Sequence, residues 1–290
     1  MRELTGKVTV VTGAGSGIGR ALALRLAAEG MRVVVVDLGA EALAETERML
    51  REEGATVLAV PTDVASEAEV EGLAERAYAA FGAVHVLCNN AGVVGRFGAV
   101  WEQSDADWQL VLGVNLFGPL HGIRAFVPRM LRQGEPAHIV NTVSEAGFTS
   151  RPYTSVYNAS KHALMTATES LAYELERVGA PIMVSALCPG GVNTNILSPS
   201  RPRPDAAERE AEGLERVMRE GLSRGMDPAD VAACVTDAIR EERFYVFSHP
   251  EVRDMIRDRM EAAVGERRPV YNDGFVRLYD RLRGGETRRP

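Results

Sequence analysis

The chain has 290 residues, of which 46% are apolar and 25% charged, an ordinary globular composition for one large α/β domain or two small ones. A formal net charge of −7 and a pI near 5.4 argue against a general affinity for nucleic acid or an anionic membrane surface, and point to a small-molecule partner. Three scattered cysteines without a CxxC pair, and five histidines without HxxxH or HxH spacing, predict neither a disulfide framework nor a metal site.

Met1 to Val10 lacks the basic-then-apolar pattern of a signal peptide, and no run of about 18 apolar residues stands out as a membrane span. The expectation is a soluble, cytoplasmic protein. Lys7 to Thr12 is a short β-branched run that reads as a buried strand. The turn Thr12-Gly13-Ala14-Gly15-Ser16-Gly17-Ile18-Gly19 follows, and then an Ala- and Leu-rich helix to Gly30. Strand, glycine turn and helix together aim free backbone N–H groups at a phosphate. The glycines at 13, 17 and 19 make GxxxGxG, which differs from GxGxxG.

Met31 to Asp37 is a second apolar strand ending in a carboxylate. An acid there can accept hydrogen bonds from both adenosine ribose hydroxyls and would repel a 2′-phosphate, which favours NAD over NADP. The alternative is that Asp37 only caps the next helix, Ala40 to Gly54. Ala55 to Val60 reads as a third strand, followed by Thr62-Asp63-Val64, where a carboxylate beside an apolar residue could hold an adenine ring. Ser66 to Gly82 is a helix with Ser66 and Glu69 placed as a capping box. Ala83 to Cys88 is a fourth strand ending in Asn89-Asn90-Ala91-Gly92, small and polar enough for close backbone approach.

Asp105 to Gln133 is a long helical stretch interrupted by Gly113, Gly118 and Pro119, with Asn115 in an otherwise apolar segment. A buried Asn needs partners, and its amide could bridge to a water or a catalytic side chain. Ala137 to Val143 is a fifth strand with Ser144 at its end, where catalytic groups of open α/β sheets collect. Thr154 to Gly179 is a helix carrying Tyr157 and Lys161, four residues apart and so on one face. A Tyr hydroxyl of pKa about 10 becomes a useful acid or base near neutrality only when something stabilises its anion by about 4 kcal/mol, and a neighbouring cation is one way to do so.

Pro181 to Cys188 is a sixth strand, closed by Pro189-Gly190-Gly191-Val192-Asn193-Thr194. Ser198 to Pro204 resists regular structure, and Asp205 to Leu222 is a charged amphipathic helix, so residues 196–226 read as a flap over a site. Asp227-Pro228-Ala229-Asp230 starts another helix. Phe244 to Phe247 is a seventh strand, and Pro250 to Val264 a last helix. Alternating strands and helices predict a doubly wound, Rossmann-type parallel sheet of about seven strands in a single domain over residues 1–264. Residues 265–290, with Tyr271, Phe275, Leu278 and Tyr279, are expected as an extension docked on the body or on a neighbouring subunit.

With these pieces assembled, the sequence resembles a short-chain dehydrogenase/reductase. The resemblance rests on Thr12-Gly13-xxx-Gly17-x-Gly19, Asp63, Asn89-Asn90-Ala91-Gly92, Asn115, Ser144, Tyr157-xxx-Lys161 and Pro189-Gly190-xxx-Thr194, and on the 13 residues from Ser144 to Tyr157. It implies an oxidoreductase that moves a hydride between NAD(H) and a secondary alcohol or ketone. Tyr157 would be the acid/base, and Lys161 would lower its pKa and bind the nicotinamide ribose. Ser144 would bond the substrate oxygen, and Asn115 would hold a water on the proton path. Cofactor contacts would come from Gly13, Ser16, Gly17, Ile18, Gly19, Asp37, Asp63, Val64, Asn90, Ala91, Gly92, Tyr157, Lys161, Pro189, Gly190, Val192 and Thr194. Homodimers and homotetramers are common in the family.

Two departures stand out. Glu145 follows Ser144 where a small residue is commoner; a solvated carboxylate is expected, with a perturbed pKa in the site or a contact to substrate as the alternatives. The segment from Phe244 to Pro250 lacks the usual glycine-rich close, which puts subunit pairing through that strand in doubt. Val93 to Phe97 and the aromatic stretch Phe148 to Tyr153 suggest a bulky apolar substrate such as a steroid, terpenoid or aryl carbinol. The competing readings are an NADP-linked ketoreductase and a catalytically silent nucleotide-sensing protein on the same fold.

Overall fold

The computed structural model describes residues 1–198 and 209–269. Seven parallel strands are laid down as β1 (Val8–Thr12), β2 (Arg32–Asp37), β3 (Val57–Pro61), β4 (Val86–Asn89), β5 (Ala137–Thr142), β6 (Ile182–Leu187) and β7 (Tyr245–Val246). They pair in the order β3-β2-β1-β4-β5-β6-β7. Every residue of β1 is buried, as are the four consecutive valines of β2. Unbroken apolar runs are what a parallel sheet covered on both faces requires.

On one face lie α1 (Gly17–Ala28), α2 (Ala40–Glu52) and α8 (Pro228–Glu241), whose Leu22, Leu26, Leu43, Val231 and Val235 meet the sheet. The other face is covered by α3 (Glu67–Phe81), α4 (Asp105–Leu112), α5 (Gly118–Gln133) and α6 (Ser155–Arg177), through Leu73, Val111, Phe126, Met130 and Leu171. The chain crosses from one side of β1 to the other between β3 and β4. That reversal opens a crevice at the carboxyl ends of β1 and β4, where ligands of open sheets bind.

The expected interruption at Gly113 to Pro119 is a π turn, Gly113–Phe117, that joins α4 and α5 without a break. In the turn the Gly118 N–H reaches Gly113 O, so the helical ladder is already shifted where Pro119, with no N–H, enters. The resulting run Asp105–Gln133 is long and apolar enough to cross a membrane, yet it lies against the sheet and buries Val111, Val114, Phe126 and Met130. At α3 the capping box is only half formed. Ser66 Oγ accepts from Glu69 N–H at 3.4 Å, but the Glu69 carboxylate reaches back to Asp63 N–H at 2.7 Å, because the Ser66 N–H is already bonded to Asp63 O at 2.9 Å.

The flap helix, α7 (Arg209–Ser223), seats on the body through Leu214 and Val217, which pack with Phe97 and Leu197. Residues 199–208 of the expected flap, and 270–290 of the expected extension, lie outside the described residues. Helix α9 (Val252–Val264) follows β7. Its Arg259 donates to Phe148 O at 2.6 Å, beside an aromatic cluster of Phe148, Tyr245 and Phe247 with centroids about 6 Å apart.

Candidate active site

A cavity of about 460 Å³ opens at the carboxyl ends of the strands, within the size range of small-molecule sites. Of the residues singled out in the sequence, Gly13, Ser16, Gly17, Ile18, Asp37, Asp63, Val64, Asn90, Ala91, Gly92, Ser144, Tyr157, Lys161, Pro189, Gly190, Val192 and Thr194 all line it. Gly19 and Asn115 do not. Gly19 is buried beneath the turn, where an added Cβ would stand 2.0 Å from Gly13 O. Gly13 has φ +66° and no room for a Cβ, which would lie 2.8 Å from Ala91 Cα. These two glycines let the first turn close onto the β4 end.

The β1 and β4 ends are latched by polar contacts. Thr12 Oγ1 accepts from Asn90 N–H at 2.9 Å and Ala91 N–H at 3.1 Å, while Asn90 Nδ2 donates to Thr12 O at 3.0 Å. Ser16 stands at the N-cap of α1 but gives its first turn no side-chain hydrogen bond, so that helix N-terminus keeps donor capacity toward the cavity it lines. The Asp37 carboxylate accepts from Gly15 N–H and from Gly39 N–H, each at 2.9 Å. It therefore supports both the glycine turn and the start of α2. A carboxylate offers about four acceptor sites, and two backbone donors leave capacity for a ligand. Arg20, a cation near this end, is engaged with Thr46 Oγ1 at 2.9 Å and with the Gly15 carbonyl. Asp63 Oδ1 accepts from Ala65 N–H at 2.8 Å.

At the far end of the cavity, Ser144 has φ 81° and ψ 160°, a region of backbone space used almost only by glycine. The conformation is imposed from both sides: Val143 and Ser144 N–H both reach Leu187 O, at 2.8 and 3.1 Å, and Glu145 N–H reaches Pro189 O at 2.9 Å. Ser144 Oγ accepts from Ala146 N–H at 3.3 Å and shares the cavity wall with Tyr157. Burial pushes the Tyr157 pKa above its usual value; the Ser144 hydroxyl opposes this, Glu145 adds to it and Arg151 opposes it. Among the protein's own groups, the phenol is held up rather than down.

Lys161 is bonded to the sheet. Its Nζ donates to Thr142 O at 2.8 Å and lies 5.7 Å from the Tyr157 ring centroid. The side chain is 3% exposed, and burial pushes its pKa down to about 8. The lysine is thus anchored on the end of β5, whose Thr142 Oγ1 in turn reaches Asn90 Oδ1 at 3.3 Å.

Asn115 sits in the π turn, fully buried, and its side-chain amide is paired with Val93 in both directions, Nδ2 to O and N–H to Oδ1, each 2.9 Å. Nδ2 also reaches Ser160 Oγ at 3.1 Å. The amide therefore ties the segment after β4, at Val93, to α6, rather than facing the cavity.

Glu145 is not solvated. It is 7% exposed and ion-paired with Arg151, and both line the cavity. The pairing joins residues six apart across a 3-10 turn (Glu145–Gly147), which no helical or strand period reveals. Asn158, whose Nδ2 donates to Arg151 O at 2.8 Å, is another wall residue without a sequence signal, and Met218 and Leu222 line the wall from the expected flap. The aromatic expectation is corrected in part. Phe97 is 1% exposed and packs under the flap, and Phe148 turns toward β7 and α9. Val93 and Val94 do line the cavity.

A sequence model of the short-chain dehydrogenases matches residues 7–205. The chain belongs to this family. Within it, the chain is 38% identical over 257 residues to a 1-deoxy-11-beta-hydroxypentalenate dehydrogenase of Streptomyces avermitilis, covering 88% of this chain and 89% of the relative. It is 32% identical over 279 residues to a CLA biosynthesis dehydrogenase/reductase of Lactiplantibacillus plantarum, covering 93% and 97%. A crystal structure of a short-chain dehydrogenase/reductase from Burkholderia phymatum in complex with NAD superposes with a TM-score of 0.91 at 44% identity, over 94% of this chain and 99% of that one. As a member of the short-chain dehydrogenases, the protein is an oxidoreductase that uses a nicotinamide cofactor and acts on a small molecule.

Proposed function

We propose that the protein is an NAD-dependent dehydrogenase/reductase interconverting a bulky, largely apolar secondary alcohol and its ketone. The observation that carries this reading is the convergence of Ser144, Tyr157 and Lys161 on one end of the cavity whose other end is bounded by Asp37 and the glycine turn. The residues present suit a dinucleotide: an uncapped helix N-terminus for the pyrophosphate, and a carboxylate with spare acceptor capacity for a ribose. When bound, the nicotinamide supplies the hydride acceptor or donor.

The chain's own groups then have distinct tasks. Ser144 donates a hydrogen bond to the substrate oxygen and Tyr157 takes or gives the proton on that oxygen. Lys161, raised on Thr142 O, holds a ribose hydroxyl and stands as the positive charge near the phenolate. Asn115 holds the geometry behind them through Val93 and Ser160 rather than by an amide contact in the cavity. Pro189, Gly190, Val192 and Thr194 form the wall for the carboxamide.

The NAD preference rests on Asp37, followed by Leu38, and is supported by the NAD complex of the Burkholderia relative. The apolar substrate rests on Val93, Val94, Ile196, Leu197, Met218 and Leu222 along the cavity, and on a relative named for a hydroxylated terpenoid. The free thiols of Cys88, Cys188 and Cys234 suit a cytoplasmic compartment. Homodimer or homotetramer assembly is carried by the family resemblance.

Initial rates on a panel of secondary alcohols with NAD and with NADP test the reading. NAD should be preferred, and Tyr157→Phe should lower turnover by about 10²- to 10⁴-fold while NADH affinity stays nearly unchanged. A strong preference for NADP would remove the Asp37 argument, and a Tyr157→Phe variant with most of its rate would remove the acid/base assignment.

A further inference from the structure

We propose that His249 is a positioning residue for the nicotinamide end of the cofactor site, acting by locking the Gly190–Gly191 backbone through a single imidazole tautomer. This rests on the reading that residues 189–194 hold the carboxamide. His249 comes from the segment after β7 where the chain lacks the family's glycine-rich close. Its Nδ1 lies 3.1 Å from Gly190 N and its Nε2 lies 3.0 Å from Gly191 O. Both partners are backbone groups of fixed polarity, an N–H that can only donate and a carbonyl that can only accept. Nδ1 must therefore be the bare nitrogen and Nε2 the protonated one. Ser248 Oγ, 2.9 Å from the same Nδ1, adds a second donor to that nitrogen.

The rest of the loop shows how complete the clamp is. Gly191 O also accepts from Met226 N–H at 3.0 Å, and Asn193 N–H donates to Met226 O at 2.9 Å, in a short parallel bridge between Val192 and Met226. Gly191 O thus has both lone pairs taken, one by the flap side and one by His249. Pro189 O accepts from Glu145 N–H, which ties the start of the loop to the segment that carries Ser144. The Gly190 amide is held by a side chain, and that side chain is His249. Position 190 is also where the ring needs space: a Cβ there would stand 3.0 Å from His249 Cγ. Glycine at 190 and histidine at 249 are thus one device, built from residues 59 apart.

Gly190 lines the cavity. If its amide is released from His249, the peptide can rotate, and the wall that should face the carboxamide loses its fixed shape. The adenosine end, bounded by Asp37 and Asp63, would not be touched.

The test measures equilibrium dissociation constants of NADH and of ADP-ribose, which lacks nicotinamide, for the wild-type protein and for His249→Phe, His249→Asn and Thr194→Ala. His249→Phe keeps a ring but has no acceptor or donor, and should weaken NADH by roughly 5- to 30-fold, the range for one or two lost hydrogen bonds, with ADP-ribose unchanged. His249→Asn places Oδ1 where Nδ1 stood and should recover most of the NADH affinity. Thermal midpoints confirm that each variant is folded. Equal NADH affinity in wild type and folded His249→Phe, with Thr194→Ala weakened for NADH alone, overturns the proposal and leaves the loop reading intact. Should Thr194→Ala and His249→Phe both leave the ratio of NADH to ADP-ribose affinity unchanged, the loop reading itself fails. Failure of His249→Asn to recover any affinity overturns the tautomer argument.

Discussion

Replacing Lys161 with methionine should abolish turnover and yet make the cofactor-free protein more stable at neutral pH. The ammonium is 3% exposed, and burial pushes its pKa from 10.5 down to about 8, with Cys188 weakly opposing. A depression of that size corresponds to roughly 3 kcal/mol of native-state destabilisation while the side chain is charged in both states. Methionine fills a similar volume without a charge, but it gives up the 2.8 Å bond to Thr142 O, a loss of about 1 kcal/mol. The variant should therefore lead the wild type by about 2 kcal/mol at pH 7. The sign follows from proton counting. Between the native pKa of about 8 and the unfolded value of 10.5, the unfolded wild type holds a proton that the native form has lost, so wild-type stability rises with pH in that window. The Lys161→Met substitution removes the titration, and the lead should shrink to near zero by about pH 9.5. Urea titrations at pH 7 and pH 9.5 read both quantities. A variant less stable than wild type at pH 7, or a difference that does not change with pH, would refute the argument.

Two further outcomes are expected. Ser144→Gly and Ser144→Ala both lose the hydroxyl and the activity, but only glycine relaxes the backbone at φ 81°, ψ 160°; the Gly variant should be the more stable by about 1 kcal/mol in denaturant titrations, and equal or reversed stabilities would show that the site stores no strain. His138 is buried with Nε2 on Ser185 Oγ and, among the described residues, no partner on Nδ1, and burial pushes its pKa down to about 3. Its contribution is complete above the unfolded value of 6.5 and is lost as pH falls toward 3, so wild type should lose about 2 kcal/mol more than His138→Gln between about pH 7 and pH 5; parallel acid titrations of the two would sink the assignment.

The sheet was legible because each strand is a short apolar run bounded by a glycine turn or a helix cap, a pattern that survives without knowledge of partners. Tyr157 and Lys161 were legible for the same reason, since their relation is a local helical period. The misreadings share the opposite property. Gly118 and Pro119 look like a break, yet the π turn shifts the ladder ahead of them. Glu145 looks solvated because its partner, Arg151, comes to it across a 3-10 turn. Phe148 looks like a cavity wall, but β7 and α9, about 100 residues later, offer its ring a better-packed place. His249 gave a signal only as a departure from family pattern. Its target, the Gly190 amide, is visible only once β6 and β7 stand side by side.

Lys161 is held by the sheet as much as by its own helix. Lys161 bonds Thr142 O, Thr142 Oγ1 bonds Asn90 Oδ1, and Asn90 and Ala91 are latched on Thr12 at the end of β1. These links run across the ends of β5, β4 and β1, which are the strands on either side of the crevice. The groups that shape the glycine turn and the ammonium of Lys161 are therefore one connected network. A buried network of this kind tolerates few alternatives, because each lost partner leaves a desolvated polar atom behind. Loss of Thr12 Oγ1 would free the Asn90 and Ala91 amides and, through Asn90, loosen the carboxyl end of β5 on which Lys161 depends. The proposed cofactor and proton-transfer sites then share one crevice for a physical reason: the strand reversal that opens it also leaves the polar ends of β1, β4 and β5 close enough to hold one another.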